Sequence, residues 1–268
     1  MALFQKPAKV TERGRPMRLN ARQSELCDTN RTDFSDLSAV FVNTSLKRKR
    51  AESHTYLLMG VASSIMEKAG AHVRHIHMLD HQVAFGVQPD MTEHGWDRDD
   101  WPELWKEIGG ADILVVGTPI WLGEESSVCR LLIERLYAMS GRLNDEGQSI
   151  FYGKVGGAVV TGNEDGIKHC AMTILYALQH FGYVVPPQAD CGWIGEAGPG
   201  PSYGDALEGG ATVGVDNEFT QRNTTIMAWN LLHLARMLKD TPIPSHGNDR
   251  EAWDAGCRAG YENPEHRR

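Results

Sequence analysis

Hydroxyl and ammonium groups are concentrated between residues 44 and 55 of this chain. Ser45, Ser53 and Thr55 carry hydroxyl groups, and Lys47 adds a positive charge. Such groups donate hydrogen bonds to phosphate and to other anions. We therefore interpret this segment as a candidate anion-binding site, and the elements around it indicate which anion it fits.

The candidate site lies between a predicted strand and a predicted helix. Residues 37–43 are apolar and rich in β-branched side chains, which predicts a short buried strand. After Thr55, apolar residues recur at three- and four-residue steps, which predicts an amphipathic helix. They are Leu58, Val61, Ala62, Ile65 and Ala69. Free N–H groups and the positive end of the helix dipole attract anions at a helix N-terminus, so we expect a phosphate at this turn.

Strands and helices are predicted to alternate along the rest of the chain. Short apolar runs predict further strands, and apolar residues at helical spacing predict helices between them. The predicted strands are 72–79, 112–117, 155–161 and about 183–187, and the predicted helices cover about 101–108, 128–139, 171–181 and 216–239. This alternation predicts an α/β fold, with a three-layer α/β/α sandwich around a five-stranded parallel sheet.

The carboxyl ends of parallel strands meet at one edge of the sheet, where α/β proteins bind ligands. Residues 44–55, 118–123 and 161–166 are therefore expected to converge there. The chain has no G-x-G-x-x-G after its first strand and no G-x-x-x-x-G-K-[ST], the fingerprints of dinucleotide sites and P-loops. The three loops instead suggest a mononucleotide. Its phosphate would lie on the first loop, and its flat ring would lie against Ile120, Trp121 and the glycine-containing third loop.

Composition and charge narrow the class of protein. The chain has 268 residues, of which 41% are hydrophobic, so it can form a packed core, and its net charge of −8 disfavours a general nucleic-acid binder. One interpretation of the basic run Lys47–Arg50 is a polyanion patch, but its position in a strand–helix loop favours a phosphate-facing or solvated loop. The five cysteines form no C-x-x-C pair, so neither a zinc ribbon nor a cysteine-held iron–sulfur cluster is predicted.

The chain is expected to consist of one domain with an extension at each end. Residues 1–36 show no sustained hydrophobic period and are expected to be disordered or laid on a partner subunit. Residues 37–239 form the predicted domain, and residues 240–268 a loose tail. Residues 188–214 are rich in Gly, Pro and Ser, which suggests a lid or a subunit contact. We expect a homodimer or homotetramer on these grounds.

A cytoplasmic location without membrane contact is expected. No apolar run approaches the ~20 residues that a transmembrane helix needs. The N-terminus has no apolar segment of the kind that a signal peptide contains.

Three histidines lie on the predicted second strand. His72, His75 and His77 are interspersed with apolar residues. A metal site is one interpretation. We favour the solvent-facing side of an edge strand, because imidazoles that alternate with Val73 and Ile76 fit a one-sided strand.

Several short motifs give the chain a resemblance to a known family. They are Asn43-Thr44-Ser45-x-Lys47 followed by Ser53-His54-Thr55, then Thr118-Pro119-Ile120-Trp121, then Thr161-Gly162-Asn163-Glu164. In this order they resemble the flavodoxin-like NADPH-dependent FMN reductases, over about residues 37–238. Residues 181–187 followed by Trp193 are also similar to the fifth-strand region of that family. Lys47 and His54 stand where the family often has Arg and Asn.

The resemblance implies a strand order of 2-1-3-4-5, an FMN cofactor and two sets of binding residues. The set implied to hold the phosphate is Ser45, Lys47, Ser53, His54 and Thr55. The set implied to hold the isoalloxazine ring is Pro119, Ile120, Trp121, Leu122, Gly123, Thr161, Gly162, Asn163, Glu164 and Gly166.

The resemblance also implies an NAD(P)H-dependent oxidoreductase. Hydride would pass from NADPH or NADH via flavin N5 to a small-molecule acceptor, such as a flavin, quinone, azo or nitro compound. This chemistry needs no catalytic side chain, and none is predicted. Trp121, Glu164 and His169 are the first side chains to vary, although we expect His169 to be a surface residue without a partner. Two alternatives stay open, a flavodoxin-type electron carrier and a non-catalytic flavin-binding protein.

Overall fold

Parallel strands form the centre of the fold in the computed structural model, which describes residues 17, 19–195, 200–207, 209 and 211–251. The strands are β1 (Ser38–Asn43), β2 (His72–His77), β3 (Ile113–Trp121), β4 (Glu124–Glu125), β5 (Val155–Gly162) and β6 (Asp190–Ile194). The helices are α1 (Ala21–Thr29), α2 (His54–Lys68), α3 (Trp101–Gly110), α4 (Ser127–Tyr137), α5 (Ile167–Phe181) and α6 (Glu218–Asp240).

The five main strands follow the order β2-β1-β3-β5-β6, and every neighbouring pair is parallel. The two-residue strand β4 folds back on the end of β3 as an antiparallel hairpin. When this hairpin is set aside, the parallel strands have the chain order 2-1-3-4-5. The predicted α/β fold and strand order are therefore confirmed.

Helices cover both faces of the sheet. Successive side chains of a strand point to opposite faces, so Phe41 and Val115 pack in the core with α1, α2 and α6. Val40 and Leu114 pack in a second core with α3, α4 and α5. Because β1 and β3 are covered on both faces, their sequences are continuous apolar runs rather than alternating ones. The result is the predicted three-layer sandwich.

The last parallel strand lies later in the chain than predicted. Val184, inside the predicted strand 183–187, forms only an isolated bridge with Val155 among the described residues. The strand that pairs with β5 is β6, which lies inside the predicted lid segment. Two prolines, Pro186 and Pro187, explain the difference, because they lack the N–H groups that a strand ladder needs. The predicted position of this strand was wrong.

Part of the predicted N-terminal extension packs on the domain. Cys27 of α1 and Phe34 are buried in the core that α2 and α6 also form. The side-chain amide of Gln23 donates a hydrogen bond to Oε1 of Gln221 on α6 at 2.8 Å. Residues 19–36 therefore lie on their own chain, which differs from the predicted arm. Residues 1–16 of that predicted arm lie outside the described residues.

The start of the predicted loose tail also packs on the domain. The side-chain amide of Gln148 donates to the carbonyl oxygen of Ile243 at 3.1 Å and to Oδ1 of Asn248 at 3.0 Å. The N–H of Arg250 donates to the carbonyl oxygen of Gly147 at 2.8 Å. These contacts anchor the first residues of the tail, contrary to the prediction. Residues 252–268 lie outside the described residues.

The histidines of β2 do not share a solvent-facing side. β2 is an edge strand, as predicted, but His75 and His77 are buried and His72 is exposed. The His75 ring stacks on Phe41 with 5.2 Å between centroids and meets Tyr56 edge-on at 5.4 Å. Helix α2 supplies Tyr56, so a tertiary contact buries this side of the strand.

Candidate functional site

A cleft of about 490 Å³ lies at the carboxyl ends of β1, β3 and β5. The three predicted loops converge on it, and β6 with the segment after it closes a further side. The lining residues are Ser45, Leu46, Lys47, Ser53, His54, Thr55, Pro119, Ile120, Trp121, Thr161, Gly162, Asn163, Glu164, Trp193, Ser202 and Tyr203. Every predicted site residue except Leu122, Gly123 and Gly166 is therefore part of the lining.

One end of the cleft, which we call the capped end, is the turn from β1 into α2. The Ser53 hydroxyl caps α2 by accepting a hydrogen bond from the Tyr56 N–H at 3.1 Å. Ser45 is 3% exposed, and its Oγ has no hydrogen-bond partner among the described residues. A buried hydroxyl without a partner is costly. It fits a site whose ligand brings hydrogen-bond acceptors, and the dipole of α2 favours an anionic one.

Contacts from two other strands hold the capped end in place. The Thr55 and Thr161 hydroxyl oxygens are buried and lie 2.7 Å apart, which ties the first turn of α2 to the end of β5. On the other side, Nε2 of His77 lies 3.0 Å from the carbonyl oxygen of Lys47. The loop that carries Lys47 is thereby fixed to β2. Both contacts make the capped end a preorganised site.

The ring nitrogens of His54 face the segment after β6. Nδ1 accepts a hydrogen bond from the Gly204 N–H at 2.9 Å, and Nε2 lies 3.8 Å from the Asp205 carboxylate. Burial lowers the pKa of His54, the charge of Lys47 lowers it further, and Asp205 acts in the opposite direction. The neutral ring is therefore favoured. His54 lines the cleft, and its implied role as a phosphate ligand stays a prediction.

The other end of the cleft, the hairpin end, is formed by the β3–β4 hairpin and the loop after β5. The turn residues Leu122 and Gly123 have φ values of 54° and 81°, the positive values that a type I′ turn requires. The Leu122 N–H donates to Oε1 of Glu164 at 3.1 Å. A Cβ on Gly166 would lie 2.5 Å from the Gly123 carbonyl oxygen. Leu122, Gly123 and Gly166 thus shape the loops that carry the lining residues.

Four of the lining residues were not predicted from the amino-acid sequence. They are Leu46, Trp193, Ser202 and Tyr203. The rings of Trp193 and Tyr203 meet edge to face with 6.2 Å between centroids. Trp193 and Tyr203 could have indicated that this stretch packs against the site. Large apolar side chains in a segment rich in Gly, Pro and Ser need a packing partner.

His169 has a partner, contrary to the expectation. Its Nε2 lies 2.8 Å from Oε2 of Glu124, and both side chains are about half exposed. The pair connects the first turn of α5 to β4 and lies outside the lining of the cleft. Its role in this structure is to support the hairpin.

A family model described as NADPH-dependent FMN reductase matches residues 40–193, which is more than half of the chain. The chain belongs to this family. The match runs from β1 to β6 and includes the three predicted loops. It confirms the resemblance drawn from the motifs and places the chain among flavin-dependent oxidoreductases.

Two relatives are similar to this member of the FMN reductase family over most of its length. One is the 8-demethyl-8-aminoriboflavin-5′-phosphate synthase of Streptomyces davaonensis, which is 37% identical over 214 residues that cover 77% of this chain and 80% of the relative. The other is the divalent metal cation transporter MntH of Mycobacterium bovis, which is 55% identical over 231 residues, or 86% of this chain. The chain spans about 33% of the length of that second relative.

No helix within the described ranges has both the length and the apolar character needed to cross a membrane.

Two solved structures place this FMN reductase family member among known folds. RosB with bound 8-demethyl-8-formylriboflavin-5′-phosphate is 36% identical, with a TM-score of 0.72, over 85% of this chain and 88% of that chain. A flavone reductase is 15% identical, with a TM-score of 0.51, over 80% of this chain and 70% of that chain. The second similarity shows the shared fold alone.

Proposed function

We propose that the cleft binds FMN, with the phosphate at the capped end and the ring at the hairpin end. The observation that carries this proposal is the buried Ser45 hydroxyl, which has no partner among the described residues and lines the same cleft as the N-terminus of α2. A phosphate brings acceptor oxygens for this hydroxyl and for the N–H groups of the first turn of α2. Lys47 adds a positive charge to the same wall.

The hairpin end fits a flat heterocycle. Ile120 and Trp121 provide an apolar wall, and Trp121 is 54% exposed. A Cβ on Gly162 would lie 2.9 Å from Cβ of Ile120, so the absence of a side chain at Gly162 lets the two loops come together. We propose that the ring lies against these residues and the backbone of residues 161–164.

The proposed activity is that of an NAD(P)H-dependent oxidoreductase. When bound, FMN supplies a ring that accepts hydride from NADPH or NADH and returns it to a small acceptor, such as a flavin, quinone, azo or nitro compound. The contribution of the protein is positional. The hairpin and the loop after β5 orient the reactants, and residues 200–205 shield one side of the cleft.

A second candidate treats the flavin as the substrate. The observation that favours it is the 36% identity and TM-score of 0.72 to RosB, whose structure holds a flavin phosphate with a formyl group in place of a methyl group. In this alternative the cleft binds FMN in the same way, and the ring itself is altered. Capture of FMN therefore does not distinguish the two candidates, but the mass of the flavin after turnover does.

The experiment that tests the proposal starts from the purified full chain. We expect the chain to quench the fluorescence of added FMN, and the FMN-loaded chain to oxidise NADPH or NADH with menadione or ferricyanide as acceptor. Mass spectrometry of the flavin recovered after turnover is expected to show unchanged FMN. A chain that leaves FMN fluorescence unaltered contradicts the binding site, and an altered flavin mass favours the second candidate.

We also propose that the chain forms a homodimer or homotetramer. Tyr137 of α4 and Met172 and Tyr176 of α5 are exposed around a groove between the two helices. Contiguous apolar surface of this kind is often buried between subunits. Light scattering of the full chain tests this proposal, and a monomeric mass contradicts it.

A further inference from the structure

Residues 200–205, which we call the strap, are held by the loop after β5 and by the first turn of α2, which lie on different sides of the cleft. The side-chain amide of Asn163, from the loop after β5, donates to the carbonyl oxygen of Gly200 at 2.8 Å and to Oγ of Ser202 at 3.1 Å. Near the other end of the strap, the Gly204 N–H donates to His54 at 2.9 Å. The strap therefore connects the hairpin end of the cleft to the capped end.

The strap runs directly over the first turn of α2. A Cβ on Gly204 would lie 2.4 Å from Cδ1 of Leu57 and 3.0 Å from Nδ1 of His54, so the backbone of the strap packs closely against these two side chains. The Ser202 N–H donates to Oδ2 of Asp205 at 2.7 Å, which closes the strap into a turn. His54 is thus the side chain of α2 that accepts a hydrogen bond from this turn.

The bond from Gly204 depends on the protonation of His54. A neutral imidazole can accept at Nδ1, whereas a protonated one carries a hydrogen there and would face the Gly204 N–H donor to donor. Two charged groups act on the ring. Lys47 opposes protonation, and Asp205 of the strap favours it, but the Asp205 side chain is 50% exposed and its attraction is screened. Burial and Lys47 together lower the pKa of His54.

We propose that His54 is the positioning residue that seats the strap over the cleft, and that its protonation releases the strap and speeds the exchange of the bound flavin. The strap carries Ser202 and Tyr203 into the lining. Tyr203 is itself fully buried in the core, so the release would move the turn at Gly204 and widen the cleft beside Ser202. The exchange of flavin rests on the FMN binding proposed above, whereas the seating of the strap does not.

Two substitutions separate the hydrogen bond from the titration. His54→Asn keeps an acceptor oxygen near the position of Nδ1 and does not titrate. His54→Leu removes the acceptor. Hydrogen–deuterium exchange of the ligand-free full chain, corrected for intrinsic rates, measures the protection of the Gly204 amide. Because the pKa of His54 is lowered, the acid end point must lie well below the ordinary pKa of histidine. We expect the protection of the native chain to fall about tenfold between about pH 8 and about pH 4.5, the effect of one hydrogen bond.

Neither variant should show the pH dependence of the native chain, but for opposite reasons. His54→Asn is expected to keep its protection at both pH values, and His54→Leu to lack it at both. If His54→Asn shows the same loss at acid pH as the native chain, or if the native chain shows none, the proposal is overturned. This measurement uses the ligand-free chain, so it tests the seating of the strap even if FMN does not bind.

The flavin part of the proposal is tested by the dissociation rate of FMN, followed by the recovery of its fluorescence on dilution. The FMN phosphate itself titrates near pH 6, but it does so equally in His54→Asn. We expect the native chain to release FMN several-fold faster at acid pH than His54→Asn does, with equal rates near pH 8. Equal rates at both pH values overturn the coupling between the strap and the flavin.

Discussion

The two ends of the cleft are built differently. At the capped end, Ser45, Ser53 and Thr55 are each at most 3% exposed. At the hairpin end, Trp121 is 54% exposed and Leu122 is 93% exposed. The capped end is a preorganised site inside the protein, and the hairpin end is an open surface carried on a turn.

The difference suggests a division of tasks. Hydrogen bonds to a charged group are stronger in a buried site than in water, so the capped end is suited to affinity. An open flat surface lets one reactant leave and another enter, so the hairpin end is suited to turnover.

A negative charge at the capped end should abolish flavin binding. We expect Ser45→Asp to weaken FMN binding roughly 1000-fold, or about 4 kcal/mol, because a buried carboxylate repels the phosphate. Ser45→Ala should cost about tenfold, the effect of one hydrogen bond. A fluorescence titration measures both. Ser35→Ala, an exposed serine just before β1 and thus at the opposite edge of the sheet, is the matched control. Binding by Ser45→Asp at the native level would place the phosphate elsewhere.

Acid should destabilise the protein through His75, whose ring packs against Phe41 and Tyr56. Burial, assisted by Arg50, lowers the pKa of His75 to about 4. Because the unfolded chain then binds the proton more readily, stability is present above the ordinary pKa of histidine and is lost as the pH falls from about 6.5 to 4. The loss is on the order of 3 kcal/mol.

The test of this acid effect is the free energy of unfolding in urea as a function of pH. His75→Phe, which keeps the packing against Phe41 and Tyr56, should lose less stability in that window than the native chain. His72→Gln, at the exposed histidine of the same strand, should follow the native curve. Parallel curves for His75→Phe and the native chain would contradict the prediction.

A methyl group between the two loops of the hairpin end should destabilise the protein. Gly166 has a φ of 130°, and its added Cβ would lie 2.5 Å from the backbone of Gly123. We expect Gly166→Ala to destabilise the protein by about 2 kcal/mol, measured by thermal unfolding. Gly141→Ala, where the Cβ meets nothing within 4 Å, should leave the melting temperature unchanged. Equal effects of the two substitutions would show that the loop contact is dispensable.

A residue that adopts positive φ more readily than leucine should reduce the backbone strain in the turn between β3 and β4. Leu122 has a φ of 54° at a position where type I′ turns favour Asn. We expect Leu122→Asn to stabilise the protein by about 0.5–1 kcal/mol and to leave FMN affinity unchanged. Thermal unfolding and a fluorescence titration check the two parts. Weaker FMN binding by this variant would mean that the exposed Leu122 contacts the ligand.

Much of the fold and most of the lining could be predicted because the signals are local. Apolar runs with turns between them define β1, β3 and β5, and parallel strands place their carboxyl ends at one edge. The last strand was predicted at 183–187 because the composition of that segment resembles a strand. Its two prolines lack the N–H groups that a ladder of strand hydrogen bonds needs. The N-terminal extension was misjudged because Phe34 is buried by residues distant in the chain, among them Trp229 of α6.

Periodicity and the chemistry of neighbouring residues were enough to locate four of the five parallel strands, the capped helix α2 and the loops at the edge of the sheet. Only the tertiary structure decided what His54 touches, because its partner Gly204 is 150 residues away. The same holds for Trp193, Ser202 and Tyr203 in the cleft. Contacts between segments so distant in the chain depend on how the helices pack on the sheet, and the periodicity of apolar residues does not specify that packing.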